Sequence, residues 1–248
     1  MDTSFTSPRY VTIDDAAAFV GTTPHAIRQY HETGLLPEPG VASGDTRHYG
    51  YDDVIRLLWI GKRIDAGIDV HDIHDAADSL HSNSGLLSDF VTDRLKDLPP
   101  GFLRQADLDS LLVMERIFGP LGAAVNATRY VVMAAHPDLR EEADRVDAAE
   151  EALDDSVAVD DPRVAQAAAQ RFAFDRAMDA AMESSDVAQI DDESYDAWEA
   201  LHDFAPGQES DTESALRAVE NMPYDWSPAR QRYMKLVEEM HREVWAAQ

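Results

Sequence analysis

The run Thr23-Pro24-His25-Ala26-Ile27-Arg28-Gln29-Tyr30-His31-Glu32-Thr33-Gly34 marks a helix at both ends, and this limits the fold more than any other stretch. Thr23 suits the N-cap, and Pro24 suits the first helical position, where its missing N–H costs nothing and its fixed φ is already helical. Gly34 stops the helix. Ala26, Ile27 and Tyr30 form one apolar face, which leaves His25, Arg28, Gln29 and His31 exposed. Upstream, Ile13, Ala16, Ala17 and Val20 share helical spacing, and Gly21 supplies the left-handed corner between the two short helices. A short helix pair with a polar outer face fits a unit that sets its second helix in a DNA major groove. It fits an ordinary αα-corner with a solvated second helix equally well, and spacing alone leaves both readings open.

Beyond the corner, Leu35 and Leu36 are expected to bury, and Pro37-Glu38-Pro39-Gly40 forbids regular structure. Gly44-Asp45 suits a tight turn between two short extended segments within Val41 to Tyr49. Arg47 and Tyr49 alternate around His48 there, with Tyr49 either beside Arg47 or packed beneath it. A third helix is expected over about 52–66, with a buried stripe of Val54, Ile55, Leu58, Trp59 and Ile64 ended by Gly67. Asp69 then suits the cap of a fourth helix carrying Val70, Ile73 and Ala77. The first domain accordingly spans residues 1–80.

These pieces together resemble the DNA-binding domain of the MerR family of transcriptional regulators over residues 10–73. The resemblance rests on Tyr10 and Ile13, the Ala17 and Gly21 spacing, Thr23-Pro24, Ile27-Arg28, and Tyr30 followed by Glu32 and Gly34-Leu35-Leu36-Pro37. It continues through Gly44, Arg47-His48-Tyr49, Asp52-Asp53, Leu57, Ile60, Ile64, Gly67-Ile68 and Ile73. It implies a mainly α fold that opens with a winged helix-turn-helix, whose second helix enters the major groove while the wing grips the backbone. Matched by position, Arg28, Tyr30, Arg47 and Tyr49 are implied to contact DNA, with Thr23 and His25 near base edges. Gln29, also assigned to the interface, replaces a usual aromatic residue, and Ala26 and Thr22 occupy usual threonine and valine positions. These departures leave the fold signal intact and the operator sequence open.

Charge sets a condition on this reading. The 248-residue chain carries a net charge of −27, which opposes approach to phosphate. Residues 1–80 hold six Lys or Arg against thirteen Asp or Glu. Local clusters such as Arg28, Arg47, Lys62 and Arg63 must therefore face the phosphates while most carboxylates face away. The chain has no cysteine, which excludes disulfides, thiolate metal sensing and thiol redox chemistry. With no apolar run of membrane-spanning length and no leader-like start, a cytoplasmic protein without membrane contact is expected.

The remaining two thirds read as helices. Residues 85–98 and 107–118 are candidates for pairing with a second copy, within a linker spanning 81–119. Residues 121–135, 138–155, a segment opening at Pro162 and another opening at Pro228 carry helical spacing in a third region, 120–248. This length suits an effector domain, in which Phe172, Phe174, Trp198, Phe204, Tyr224 and Trp226 either line a pocket for a small organic ligand or fill helix interfaces. It is loosely similar to the helical antibiotic-binding domains of TipA-like regulators, and no ligand residue is carried over from that similarity.

No catalytic centre assembles. His71 and His74 with Asp75 and Asp78 invite a surface metal cluster, but a solvated polar face explains them as well. No phosphate-cradling glycine loop, zincin motif or nucleophile elbow occurs. No cofactor or resident metal is expected. The expected function is a dimeric, ligand-responsive transcription regulator that distorts promoter DNA. Its partners are double-stranded promoter DNA, a second copy of itself, RNA polymerase through the promoter, and a small organic effector. The competing classes are a helical protein-interaction module and a metal-dependent enzyme.

Overall fold

Thr12 and Asp15 start the first helix by capping each other. The Asp15 N–H donates to Thr12 Oγ1 at 3.2 Å, and the Asp15 carboxylate accepts from the Thr12 N–H at 3.4 Å. In this computed structural model, which describes residues 8–39, 41–43, 46–68, 73, 84–185, 222–224 and 226–246, that helix is α1, Ile13–Val20. Gly21 ends it at φ 79°, with its N–H on the Ala17 carbonyl. Thr23 Oγ1 accepts from the Ala26 N–H at 3.1 Å, so Thr23 and Pro24 open α2, Pro24–Glu32, in the manner the sequence expects.

Strands β1, Val41–Ser43, and β2, Thr46–His48, pair antiparallel in the register Val41↔His48, Ala42↔Arg47 and Ser43↔Thr46. Tyr49 and Val11 exchange two main-chain hydrogen bonds of 2.9 Å, which tie the hairpin to the residues ahead of α1. Helix α3, Tyr51–Asp65, opens with the Asp53 carboxylate on the Gly50 N–H at 3.0 Å. α1 packs on both α2 and α3.

The buried face of α3 is wider than expected, holding Val54, Ile55, Leu57, Leu58, Trp59, Ile60 and Arg63. One side meets α1, while Trp59 and Lys62 reach the helix at 105–135 described next. Ile64, expected in the buried stripe, is exposed although it continues the side of Leu57 and Ile60, because it lies one residue from the end of α3. The expected fourth helix lies outside the described residues except for Ile73, which is buried.

After a 3-10 turn at Ser84–Leu86, α4 spans Asp89–Leu95, only part of the candidate pairing segment 85–98. The longest helix, α5 at Gln105–Ala135, is interrupted at Gly119, where φ is 74° and ψ 178°. Pro120 restarts it: proline pushes the preceding residue out of the helical region, and glycine alone takes this conformation at little cost. The two expected helices, 107–118 and 121–135, are thus the two halves of α5.

The described residues fall into two units. One holds residues up to 127 together with 222–224, and the other holds 128–185 and 226–246. In the second, α6 (Pro137–Glu151) and α8 (Pro228–Ala246) both pack on α7, Pro162–Glu183. Leu153, Val157, Val164, Ala168, Tyr233 and Val237 form its core. Among the described residues the structure is mainly helical, and no helix is long and apolar enough to cross a membrane.

Candidate nucleic-acid interface

Helix α2 is held by one fully buried side chain, Ile27, and by the buried pair Leu35 and Leu36 that follows it. That anchoring turns Thr23, His25, Arg28 and Gln29 outward as an exposed row, with Tyr30 half-buried at its edge. Among the described residues Arg28 has no hydrogen-bond or ion-pair partner, so its five donors are open to an incoming acceptor.

At the hairpin Tyr49 takes the packed position, His31 of α2 is more buried than expected, and Arg47 has an acidic partner. Tyr49, implied to contact DNA, is 0 % exposed. It packs beneath the hairpin because its hydroxyl reaches His31 Nε2 at 2.9 Å. His31, expected on the exposed face, is half-buried in the same contact, and its Nδ1 lies 3.0 Å from the Leu36 carbonyl. A carbonyl only accepts, so Nδ1 carries a proton, and in the neutral ring Nε2 accepts from the Tyr49 hydroxyl. Arg47 is exposed as expected, but its guanidinium forms a two-pronged pair with Glu38, at 2.7 and 2.9 Å.

The electrostatics around Tyr49 show where the cations gather. Burial pushes its hydroxyl above the ordinary tyrosine value, while Arg47 and Arg28 each pull it down and Glu38 and Asp53 push it up. The His31–Tyr49 hydrogen bond is what joins α2 to the hairpin. Glu38 and His31 were not recognisable as parts of this site from sequence. The pairs that define their roles span nine and eighteen residues across a proline-rich turn, and no periodicity reports such contacts.

α5 grips the helix pair from behind. Asp109 accepts from Trp59 Nε1 at 2.7 Å and from Gln105 Nε2 at 2.6 Å. Glu115 pairs with Lys62 through one oxygen and accepts from the Ser88 N–H at 2.9 Å through the other. Arg116 Nε donates to the Phe19 carbonyl, and an Nη of the same side chain lies 3.3 Å from the Ala18 carbonyl, closing the C-terminal end of α1.

The aromatic residues assigned to a ligand pocket have separate surroundings. Tyr224 stacks on Tyr51 at 5.9 Å within the first unit. In the second unit, Phe174 is buried under the Arg171 guanidinium and Phe172 meets His241 edge-on at 5.0 Å. Trp226 is half-buried. Tyr224 belongs to the first unit, and Phe172, Phe174 and Trp226 to the second. Trp198 and Phe204 lie outside the described residues, as do His71, His74, Asp75 and Asp78 of the metal alternative. Among the described residues no cluster of three or more His, Asp or Glu is arranged to hold a metal ion.

Two short helices at a glycine corner, the second anchored by Ile27 and polar outward, followed by a two-stranded hairpin, define a helix-turn-helix unit. Residues 11–80 match the family described as MerR HTH family regulatory protein, so this segment is a MerR-type helix-turn-helix. The family is one of DNA-binding transcription regulators. No curated protein and no solved structure matched the chain.

Proposed function

We propose that the chain is a dimeric, sequence-specific regulator that reads duplex promoter DNA through α2, with the β1–β2 hairpin serving as a wing on the backbone. The observation that carries this reading is the exposed row Thr23, His25, Arg28 and Gln29 on α2, with the hairpin that bears the exposed Arg47 tied to the same helix by the His31–Tyr49 hydrogen bond. Thr23, His25 and Gln29 meet base edges at the start of the helix, and Arg28, Tyr30 and Arg47 position it on phosphates. Tyr49 takes a supporting role, holding the hairpin against α2.

Two copies read an inverted repeat, because a two-fold protein matches a two-fold operator. Regulation follows from bending or untwisting the promoter, which changes how RNA polymerase engages it without direct contact to this chain. A small organic effector shifts the balance between two dimer geometries, and a preference of a few kcal/mol is enough to change activity substantially. The protein works in the cytoplasm, without a cofactor.

Selection of bound duplexes from a random pool by the full chain tests the reading. An enriched inverted repeat is the expected outcome, and a pool with no enrichment contradicts it.

A further inference from the structure

A cavity of about 250 Å³ opens between α1, α3 and the first half of α5. Its walls are apolar at Val20, Leu58, Leu112 and Pro120. Four charged side chains complete it. Lys62 and Glu115 neutralise each other, which leaves Arg116 and Asp65 as its open charges. Among the described residues neither of these has a side-chain partner of opposite charge, and Arg116 spends its donors only on main-chain carbonyls. Arg116 and Asp65 are both exposed, and partial burial lowers the Arg116 guanidinium below the ordinary arginine value.

We infer that this cavity binds a small zwitterion, a carboxylate and an ammonium joined by an apolar body, with the carboxylate on Arg116 and the ammonium on Asp65. The size suits roughly ten heavy atoms, since a cavity of about 150 Å³ holds benzene. Two open charges of opposite sign suit a zwitterion, and the net charge of −27 disfavours a simple anion. The planar guanidinium fork matches a carboxylate in two parallel hydrogen bonds.

Position gives the site a consequence. Arg116 ties α5 to the end of α1, and a carboxylate competes with the Phe19 and Ala18 carbonyls for the same donors. A carboxylate brings a full negative charge and a bidentate fit to the guanidinium where each carbonyl is a single neutral acceptor, so the ligand draws Arg116 away and loosens the hold of α5 on the helix pair. This effect on DNA rests on the function proposed above, while the binding itself does not.

The test is calorimetric titration of the full chain with 6-aminohexanoate and 4-(aminomethyl)benzoate, with hexanoate and hexylamine as single-charge controls. Saturable binding of a zwitterion is expected, at least tenfold tighter than either control. Arg116→Gln and Asp65→Asn each weaken it at least tenfold. Gly61→Leu abolishes it by filling the cavity: a Cβ at Gly61 meets nothing within 4 Å, and replacing a mid-helix glycine favours the helix, so the variant folds. Failure of both zwitterions to saturate, or equal binding by wild type and the three variants, overturns the inference. A chain that binds the zwitterion but selects no duplex keeps the site and loses the regulator; one that selects a duplex but binds no zwitterion does the reverse.

Discussion

His31 and Tyr49 meet through a hydrogen bond of 2.9 Å between a helix and a hairpin eighteen residues apart. With the Leu36 carbonyl on the other ring nitrogen, this contact fixes the hairpin against α2 from inside. Tyr49→Phe keeps the buried ring and removes only the hydroxyl. A loss of about 1 kcal/mol in urea unfolding is expected. Duplex affinity should fall a few-fold if Tyr49 takes the supporting role proposed for it, as read by fluorescence anisotropy.

Glu38 holds the Arg47 guanidinium that the proposed function sets against phosphate. The pair is exposed on both sides and contributes at most about 1 kcal/mol to stability. Glu38→Gln therefore leaves the unfolding midpoint nearly unchanged while freeing Arg47 and removing a negative charge from the interface. Duplex affinity at low salt should rise by roughly two- to tenfold, with the gain shrinking as salt is added.

The break in α5 depends on two glycines for different reasons. Gly119 has φ 74° and open space around it, so Gly119→Ala meets only backbone strain, about 1–3 kcal/mol. At Gly122 a new Cβ falls 2.5 Å from the Cβ of Phe118, and the helix itself must shift. Phe118→Ala retains that Cβ and should not rescue Gly122→Ala. Thermal unfolding of the single and double variants separates the two mechanisms.

The second unit is pinned by a partly buried polar network. Tyr233 donates to Glu150 at 3.0 Å and accepts from Arg171 Nε at 2.9 Å, and Arg171 also reaches Asp147 at 2.9 Å. Burial, and next the neighbouring Glu150, raise the Tyr233 hydroxyl well above the ordinary tyrosine value, so it stays a protonated donor throughout the neutral range. Tyr233→Phe leaves Glu150 and Arg171 each short of a partner, at about 1–3 kcal/mol. Denaturant unfolding should show that loss, with duplex binding unchanged because no residue of this network lies in the interface.

Sequence made the first unit legible wherever local chemistry decides. Thr23, Pro24, Gly21 and Gly34 mark ends that the backbone obeys, and Gly119-Pro120 divides two apolar patterns where α5 breaks. It was less legible where a side chain has two defensible homes. His31 shares the polar face of α2 by spacing, yet Tyr49 and Leu36 draw it inward. Arg63 is buried beside an exposed Ile64, because α3 meets neighbours on more than one side. Aromatic content alone did not separate pocket from packing, since Tyr224 and Phe174 find neighbours in different units.

Whether α2 and the hairpin meet one duplex is tested by the salt dependence of binding by Arg28→Ala and Arg47→Ala. With the selected duplex, both variants should bind more weakly, each with a log–log salt slope lower by about one, the loss of one phosphate contact. Wild-type affinity and slope in either variant contradicts it, because one of the two elements then lies away from the DNA.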